Sequence, residues 1–212
     1  MNTIACYTKS GGSWLHWILI DWLYSPDLLL DLEDKVVLDK YIKKTEIPLT
    51  RVVPDIHLVR HPLDLCYSLY NYLLLTNRAR EKDKERLLNS FVEGNLSLSQ
   101  GKTYFSFMDW AESAPLTIRY EDLNKDPVKT LSEVQKLNPD NCIQPSIEKY
   151  SLENIRAREY QAKFTRQTNK KYSFFNKASS FYYKEMLSEK QIEIGFKTYD
   201  RFIRKYWPET IG

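Results

Sequence analysis

The sequence predicts an α/β fold, a three-layer sandwich in which a central, mainly parallel sheet is flanked by helices. Two observations predict it. Three short apolar runs each stop at a tight turn and are followed by a stretch of helical periodicity, and strands alternating with helices build parallel sheets through crossover connections. The composition, with 42% hydrophobic and 28% charged residues over 212 positions, is that of a chain able to bury one globular core. No internal repeat or linker divides it, so residues 1–212 read as a single domain.

The first unit begins with residues 3–7 (TIACY), an apolar run that stops at Thr8-Lys9-Ser10-Gly11-Gly12. Ser13 then precedes Trp14, Leu15, Trp17, Ile18, Leu19, Trp22 and Leu23, mostly on helical spacing, and stands as a cap or first-turn residue. In the second unit, residues 55–60 (DIHLVR) have strand character, His61-Pro62 breaks them, and residues 63–75 read as helix. Pro62 suits a first helical turn, where its missing N–H costs nothing, and Asp64 complements the helix dipole. The third unit pairs a strand at 115–120 (PLTIRY) with a helix at 127–137. Residues 78–86 (RAREKDKER) read as a solvated helix face, residues 162–180 as a loop or lid, and residues 188–206 return to helical periodicity.

Charge and cysteine usage narrow the function. A net charge of +3 lacks the strongly basic face of a nucleic-acid binder, though it leaves room for one local anion pocket. Cys6, Cys66 and Cys142 are an odd set without metal-like spacing and read as reduced cytosolic thiols. No basic region precedes the first apolar residues, so a signal peptide is not expected, and residues 14–24, interrupted by His16 and Asp21, are too short to span a bilayer. A soluble, cytoplasmic protein is expected.

The loop Lys9-Ser10-Gly11-Gly12-Ser13 lies between a strand and a helix, where backbone N–H groups and the helix dipole favour a phosphate. It is not the nucleotide-triphosphate loop G-x-x-x-x-G-K-[ST]: its lysine comes before the glycines, and it is shorter. The segment Thr8-Lys9-Ser10-Gly11-Gly12-Ser13-Trp14-Leu15 resembles the phosphosulfate loop of the sulfotransferase family, P-K-S-G-T-T-W-L, with Thr8 in place of Pro and Gly12-Ser13 in place of two Thr. Leu58-Val59-Arg60-His61-Pro62-Leu63-Asp64, running on to Ser68-Leu69-Tyr70, is similar to the family's 3′-phosphate motif V-R-N-P-x-D-x-x-x-S-x-Y, with His61 in place of Asn. Ile118-Arg119-Tyr120-Glu121-Asp122-Leu123, followed by Asp126-Pro127, resembles its Y-E-D-L segment. The three run in the family's order. Of its C-terminal R-K-G-x-x-G-D-W-K, only Lys177 and Lys184 match.

The resemblance implies a P-loop-like fold and transfer of a sulfuryl group from 3′-phosphoadenosine 5′-phosphosulfate (PAPS) to a hydroxyl or amine of a small molecule, leaving adenosine 3′,5′-bisphosphate (PAP). It implies that Lys9 contacts the bridging oxygen of the leaving group, where a fixed cation stabilises developing charge. Ser10, Gly11, Gly12 and Ser13 would hold the 5′-phosphate and Trp14 would lie near the adenine. Arg60 and Ser68 would hold the 3′-phosphate, Arg60 through a forked charge-assisted contact. Tyr120 would pack on or hydrogen-bond the adenine, and Lys177, with a neighbour such as Arg166 or Lys171, would complete the 3′-phosphate grip.

For the base, Lys44-Thr45-Glu46-Ile47-Pro48 resembles the family segment K-T-H-x-P with Glu46 in the histidine's place. A useful base there needs burial that raises its pKa. His16, on the first helix, is the second candidate, and His57, inside a strand, reads as core. No His/Cys/Asp spacing suggests a metal, and none is expected. The expected partner is a small-molecule acceptor, with neither nucleic acid nor membrane; a homodimer is allowed but not decided by the sequence. Residues 31–39, an acidic run, read as a solvated face that would suit a cationic acceptor. The rival readings are a P-loop kinase-like phosphotransferase, which needs a lysine at the loop's end beside a Mg²⁺-binding Ser/Thr, and a nucleotide-binding protein without catalysis.

Overall fold

The computed structural model describes residues 3–24, 42–46, 48, 52–96, 103–135, 148, 151, 153–154 and 180–211. Four strands, β1 (Thr3–Cys6), β2 (Lys43–Thr45), β3 (Ile56–Val59) and β4 (Leu116–Arg119), form one sheet in the order β2-β1-β3-β4. All neighbours pair parallel, with Ala5 opposite both Thr45 and His57, and Leu58 opposite Ile118. The strand order reverses direction between β1 and β3, and parallel sheets of this kind hold ligands in the crevice outside the carboxyl ends of the strands at such a point.

The strand pattern decides which side each residue buries. Along β1 and β3, Ile4, Cys6, Ile56 and Leu58 join one core, with Leu15, Ile18 and Leu19 of helix α1 (Gly12–Tyr24). Leu123 of α5 (Tyr120–Lys125) and Leu131 of α6 (Pro127–Gln135) complete it. The alternate residues Ala5, Tyr7 and Val59 face a second core. That core is built with α2 (Pro62–Leu75), α3 (Lys84–Val92), α4 (Tyr104–Ala111), α8 (Glu189–Thr198) and α9 (Asp200–Tyr206). A short α7 (Tyr183–Met186) precedes α8. A two-residue period on strands covered on both faces by helices gives the expected three layers.

Local chemistry sets the helix limits. Proline at the first position of α2 stands where no N–H is needed, and the Thr103 hydroxyl caps α4 by accepting from Ser106 N–H at 3.3 Å. Ser188 and Gln191 cap α8 reciprocally, at 3.3 and 3.0 Å.

Two expectations are corrected, and one strand was not foreseen. Lys43–Thr45 forms a strand because its pairing partner β1 provides the order that a Lys-Lys-Thr run does not. The helical stretch at 188–206 is two helices broken at Tyr199, whose hydroxyl donates to the Phe91 carbonyl at 2.5 Å. The expected strands are each trimmed by a residue or two. Leu137, the expected end of the third unit's helix, lies outside the described residues, as do Cys142 and residues 31–39. Among the described residues no helix is long and apolar enough to cross a membrane.

His57 is fully buried in β3 beside Phe107 and Tyr206, and neither ring nitrogen has a hydrogen-bond partner among the described residues. Burial, helped by the Lys205 charge, pushes its pKa down to about 3. The unfolded histidine, at about 6.5, takes up a proton that the native state refuses. Stability from neutral His57 is therefore fully present above that pH and is lost as the pH falls toward 3. Replacing the ring by His57→Leu removes this loss. Urea unfolding of both proteins at pH 4, 5, 6 and 7 should show the variant gaining on wild type by about 1.4 kcal/mol per pH unit below pH 6. Parallel curves would contradict the burial.

Candidate active site

Every candidate segment emerges at the same edge of the sheet. The loop at 8–13 follows β1, Glu46 follows β2, Arg60 and His61 follow β3, and Tyr120 and Glu121 follow β4. Parallel pairing puts all four strand ends together, so side chains more than 100 residues apart in sequence meet around the β1–β3 crevice.

The loop is a tight turn closed by Ser10, whose N–H and hydroxyl both donate to the Tyr7 carbonyl, at 3.0 and 2.6 Å. Ser10 is wholly buried, so it shapes the loop rather than presenting its hydroxyl to an anion. Lys9 takes a left-handed backbone (φ 71°), unusual for a residue with a side chain, and its ammonium lies 5.3 Å from the centre of the Tyr72 ring. Gly11 is also left-handed (φ 92°), and a Cβ there would come within 2.5 Å of the Tyr120 ring. At Gly12 a Cβ would run into Cys6 Sγ and lie 2.8 Å from its Cβ. The two glycines let the loop lie flat on the strand ends, with the start of α1 opening out of it.

Arg60 joins this loop to the second motif. Its Nη1 donates to the Lys9 carbonyl at 3.1 Å, and its guanidinium sits 4.4 Å above the Tyr120 ring. Its Nε is buried without a hydrogen-bond partner among the described residues, an unused donor of the kind that an anion satisfies. Trp14 meets the Tyr120 ring edge-on at 6.1 Å. On α2, Asp64, Ser68 and Tyr72 are spaced four apart and share one face, so half-buried Ser68 stands between the Arg60 corner and the Lys9 ammonium.

Two buried carboxylates flank Arg60. Asp64 accepts from the N–H groups of Phe181 and Tyr183, at 2.7 and 2.8 Å. Glu121 accepts from His61 N–H and from Trp207 Nε1–H, both at 2.9 Å. Burial raises the pKa of each, against an opposing pull from Arg60 and from these donors. His61, in the family's Asn position, is buried and stacks on Tyr183 at 4.7 Å; burial and the charges of Arg119, Lys184 and Arg60 push its pKa down to about 3. It is an aromatic packing element between the second motif and the C-terminal segment.

The base candidates separate. Glu46 stands on the rim, with its carboxylate accepting from the Thr8 hydroxyl at 2.7 Å and from Lys44 at 3.4 Å, and its side chain is 40% exposed rather than buried as expected. His16 is buried in the α1 core with Nε2 2.5 Å from the Ile42 carbonyl oxygen, so its ring is held in the protein interior. Lys177, Arg166 and Lys171 lie outside the described residues. Sequence reasoning missed Lys44, whose ammonium donates to the Ser13 hydroxyl at 3.1 Å, and the long-range contacts of Asp64 and Glu121. The K-T-E segment itself was the available signal for Lys44.

A profile of the sulfotransferase domain matches residues 49–206. It takes in the Arg60 and Tyr120 segments and begins beyond the Lys9 loop, whose reading rests on its geometry. No match is found among curated protein sequences. Among solved structures, retinol dehydratase in complex with androsterone and inactive cofactor PAP is similar with a TM-score of 0.69 at 15% identity, over 95% of this chain and 80% of its own. The same protein with retinol and PAP gives 0.68 at 14% identity over the same shares. Mouse sulfotransferase SULT7A1 complexed with PAP gives 0.64 at 16% identity, over 97% of this chain and 84% of its own. The described architecture is the fold of these proteins.

The Gly11–Tyr120–Arg60 stack leaves no room for a side chain on the loop. Gly11→Ala should destabilise the protein by about 2 kcal/mol through its left-handed backbone and the displaced ring, measured as a lower urea midpoint at unchanged slope. An unaltered midpoint would mean that the loop does not press on Tyr120.

Proposed function

Since the chain belongs to the sulfotransferase domain family, we propose that it transfers a sulfuryl group from PAPS to a hydroxyl or amine of a small-molecule acceptor, releasing PAP. The observation that carries this reading is the 3.1 Å hydrogen bond from Arg60 to the Lys9 carbonyl, which joins two cationic segments across the β1–β3 crevice. A nucleotide phosphorylated at both its 5′ and 3′ ends needs two such places at a fixed separation.

The residues present suit that nucleotide. Arg60 has a buried donor to spare, and Ser68, one helical turn beyond Asp64, is retained as a 3′-phosphate contact on the family resemblance. Gly11 and Ser13, both partly exposed, lie at the head of α1 where a phosphate would sit, Gly12 seats the loop on Cys6, and Lys44 holds the Ser13 hydroxyl in place. Trp14, half-buried, presents aromatic surface for an adenine, and Tyr120, buried beneath Arg60, backs it edge-on. The donor supplies an activated sulfuryl group. Lys9 neutralises the charge that grows on the leaving phosphate, with Lys44, reaching over from β2 to the Ser13 hydroxyl, a second cation beside the loop. Glu46, on the rim beside Thr8 and Lys44, is retained as the base on the family resemblance, and the bound acceptor has to supply the burial that its exposed carboxylate lacks. Lys177 is retained as a 3′-phosphate contact on the family resemblance alone.

A small acceptor is favoured because the similar structures hold androsterone and retinol. We take residues 1–212 as one domain and the cytoplasm as its place of action.

Donor recognition is tested by thermal unfolding: Tm should rise with adenosine 3′,5′-bisphosphate and stay unchanged with Mg–ATP. The reverse would favour a phosphotransferase. Lys9→Ala should lower transfer of labelled sulfate by about 10²-fold or more while the protein remains folded. Full activity in that variant would remove the loop from the chemistry. Glu46→Gln should cut kcat by about 10²-fold and leave bisphosphate affinity intact; an unchanged kcat would exclude Glu46 as base.

A further inference from the structure

Resting on the sulfotransferase reading above, we propose that Asp64 is a positioning residue for 3′-phosphate recognition, clamping the turn at 181–183 against the Arg60 corner. Its carboxylate is only 2% exposed, and both oxygens are used: Oδ2 takes the Phe181 N–H and Oδ1 the Tyr183 N–H. These partners lie 117 and 119 residues away in sequence, so the contact ties the second motif to the C-terminal segment. Phe181 is held in the left-handed region (φ 58°), so the chain wraps its N–H groups around the carboxylate as it would around a bound anion.

The clamped turn closes over the residue next to Arg60. Tyr183 stacks on the His61 ring at 4.7 Å with planes 10° apart, and Phe181 meets the same ring edge-on at 5.8 Å. Asp64 stands one helical turn before Ser68 on the same face of α2, and its charge acts on Arg60. Because each of its oxygens is already engaged by a backbone donor, the carboxylate is held in place beside a phosphate-binding guanidinium whose Nε it does not bond. The clamp therefore fixes the corner before the nucleotide arrives, and ordering that would otherwise weaken binding has already taken place.

A plain structural staple would weaken every nucleotide equally; a positioning residue for the 3′-phosphate would not. The test titrates wild type and Asp64→Asn with adenosine 3′,5′-bisphosphate and with adenosine 5′-phosphate. Affinity for the bisphosphate should fall about tenfold, as expected for loss of a charge-assisted contact, while affinity for the monophosphate changes less than about twofold. Equal losses for both, or none, would overturn the proposal. A wild-type protein that does not prefer the bisphosphate would instead bring down the sulfotransferase reading, and the proposal with it. Should Asp64→Asn fail to fold, amide exchange on wild type decides. Phe181 and Tyr183 amides should be protected more by the bisphosphate than by the monophosphate, and equal protection would overturn the proposal.

Discussion

Arg60 is the point through which the site is assembled. Its guanidinium sits over the ring of Tyr120, just past the end of β4, and it donates to the backbone of Lys9 beyond β1. Three strand ends are thus fixed relative to one another by one planar cation. The geometry suits arginine because a guanidinium can stack on a ring and still offer donors in its plane, which a lysine ammonium cannot do. Gly11 is required by the same stack, since only a residue without Cβ fits between the loop and the Tyr120 ring.

A cation at that depth needs support, and the fold supplies it without occupying the arginine. Asp64 and Glu121 both exert a favourable charge on Arg60, yet they accept hydrogen bonds from the C-terminal segment and, for Glu121, from His61. Each carboxylate thereby performs two tasks: it offsets the guanidinium charge and fastens a distant part of the chain to the strand end beside it. Trp207, nearly at the end of the chain, is fully buried and reaches Glu121 through its indole N–H. The second and third motifs are therefore held in register partly by residues that belong to neither.

What the sequence made legible follows from the range of the interactions involved. The three strand–turn–helix units were readable because each is encoded within about 20 residues, by an apolar run, a proline or glycine turn and a periodic helix. Arg60, Lys9 and Tyr120 were readable as site residues for the same reason, since they stand where strands give way to turns. β2 was not, because Lys43 and Lys44 carry no strand signal and the strand exists only through pairing with β1; lysines suit its edge position in the sheet. The break at Tyr199 escaped a periodicity argument because α8 and α9 both send apolar residues to one core. Asp64 read as a helix-dipole residue, which is true of its position, but its partners are 117 residues on and left no local trace. Glu46 read as a candidate base by its place in a family segment, and its exposure depends on neighbours that a five-residue segment does not describe.

The aromatic content, 14% of the chain, takes on a physical meaning here. Lys9, Lys44 and Arg60 crowd one crevice, and like charges brought together without a counter-anion repel. Lys44 is offset by Glu46, an ordinary ion pair. Lys9 and Arg60 also lie against Tyr72 and Tyr120, where the ring faces attract a cation by roughly 0.5–2 kcal/mol each. For Arg60 this adds to the pull of the buried Asp64 and Glu121 on its flanks. A ring attracts the cation without bringing further negative charge to the crevice, and so leaves its positive field available to a doubly charged anion.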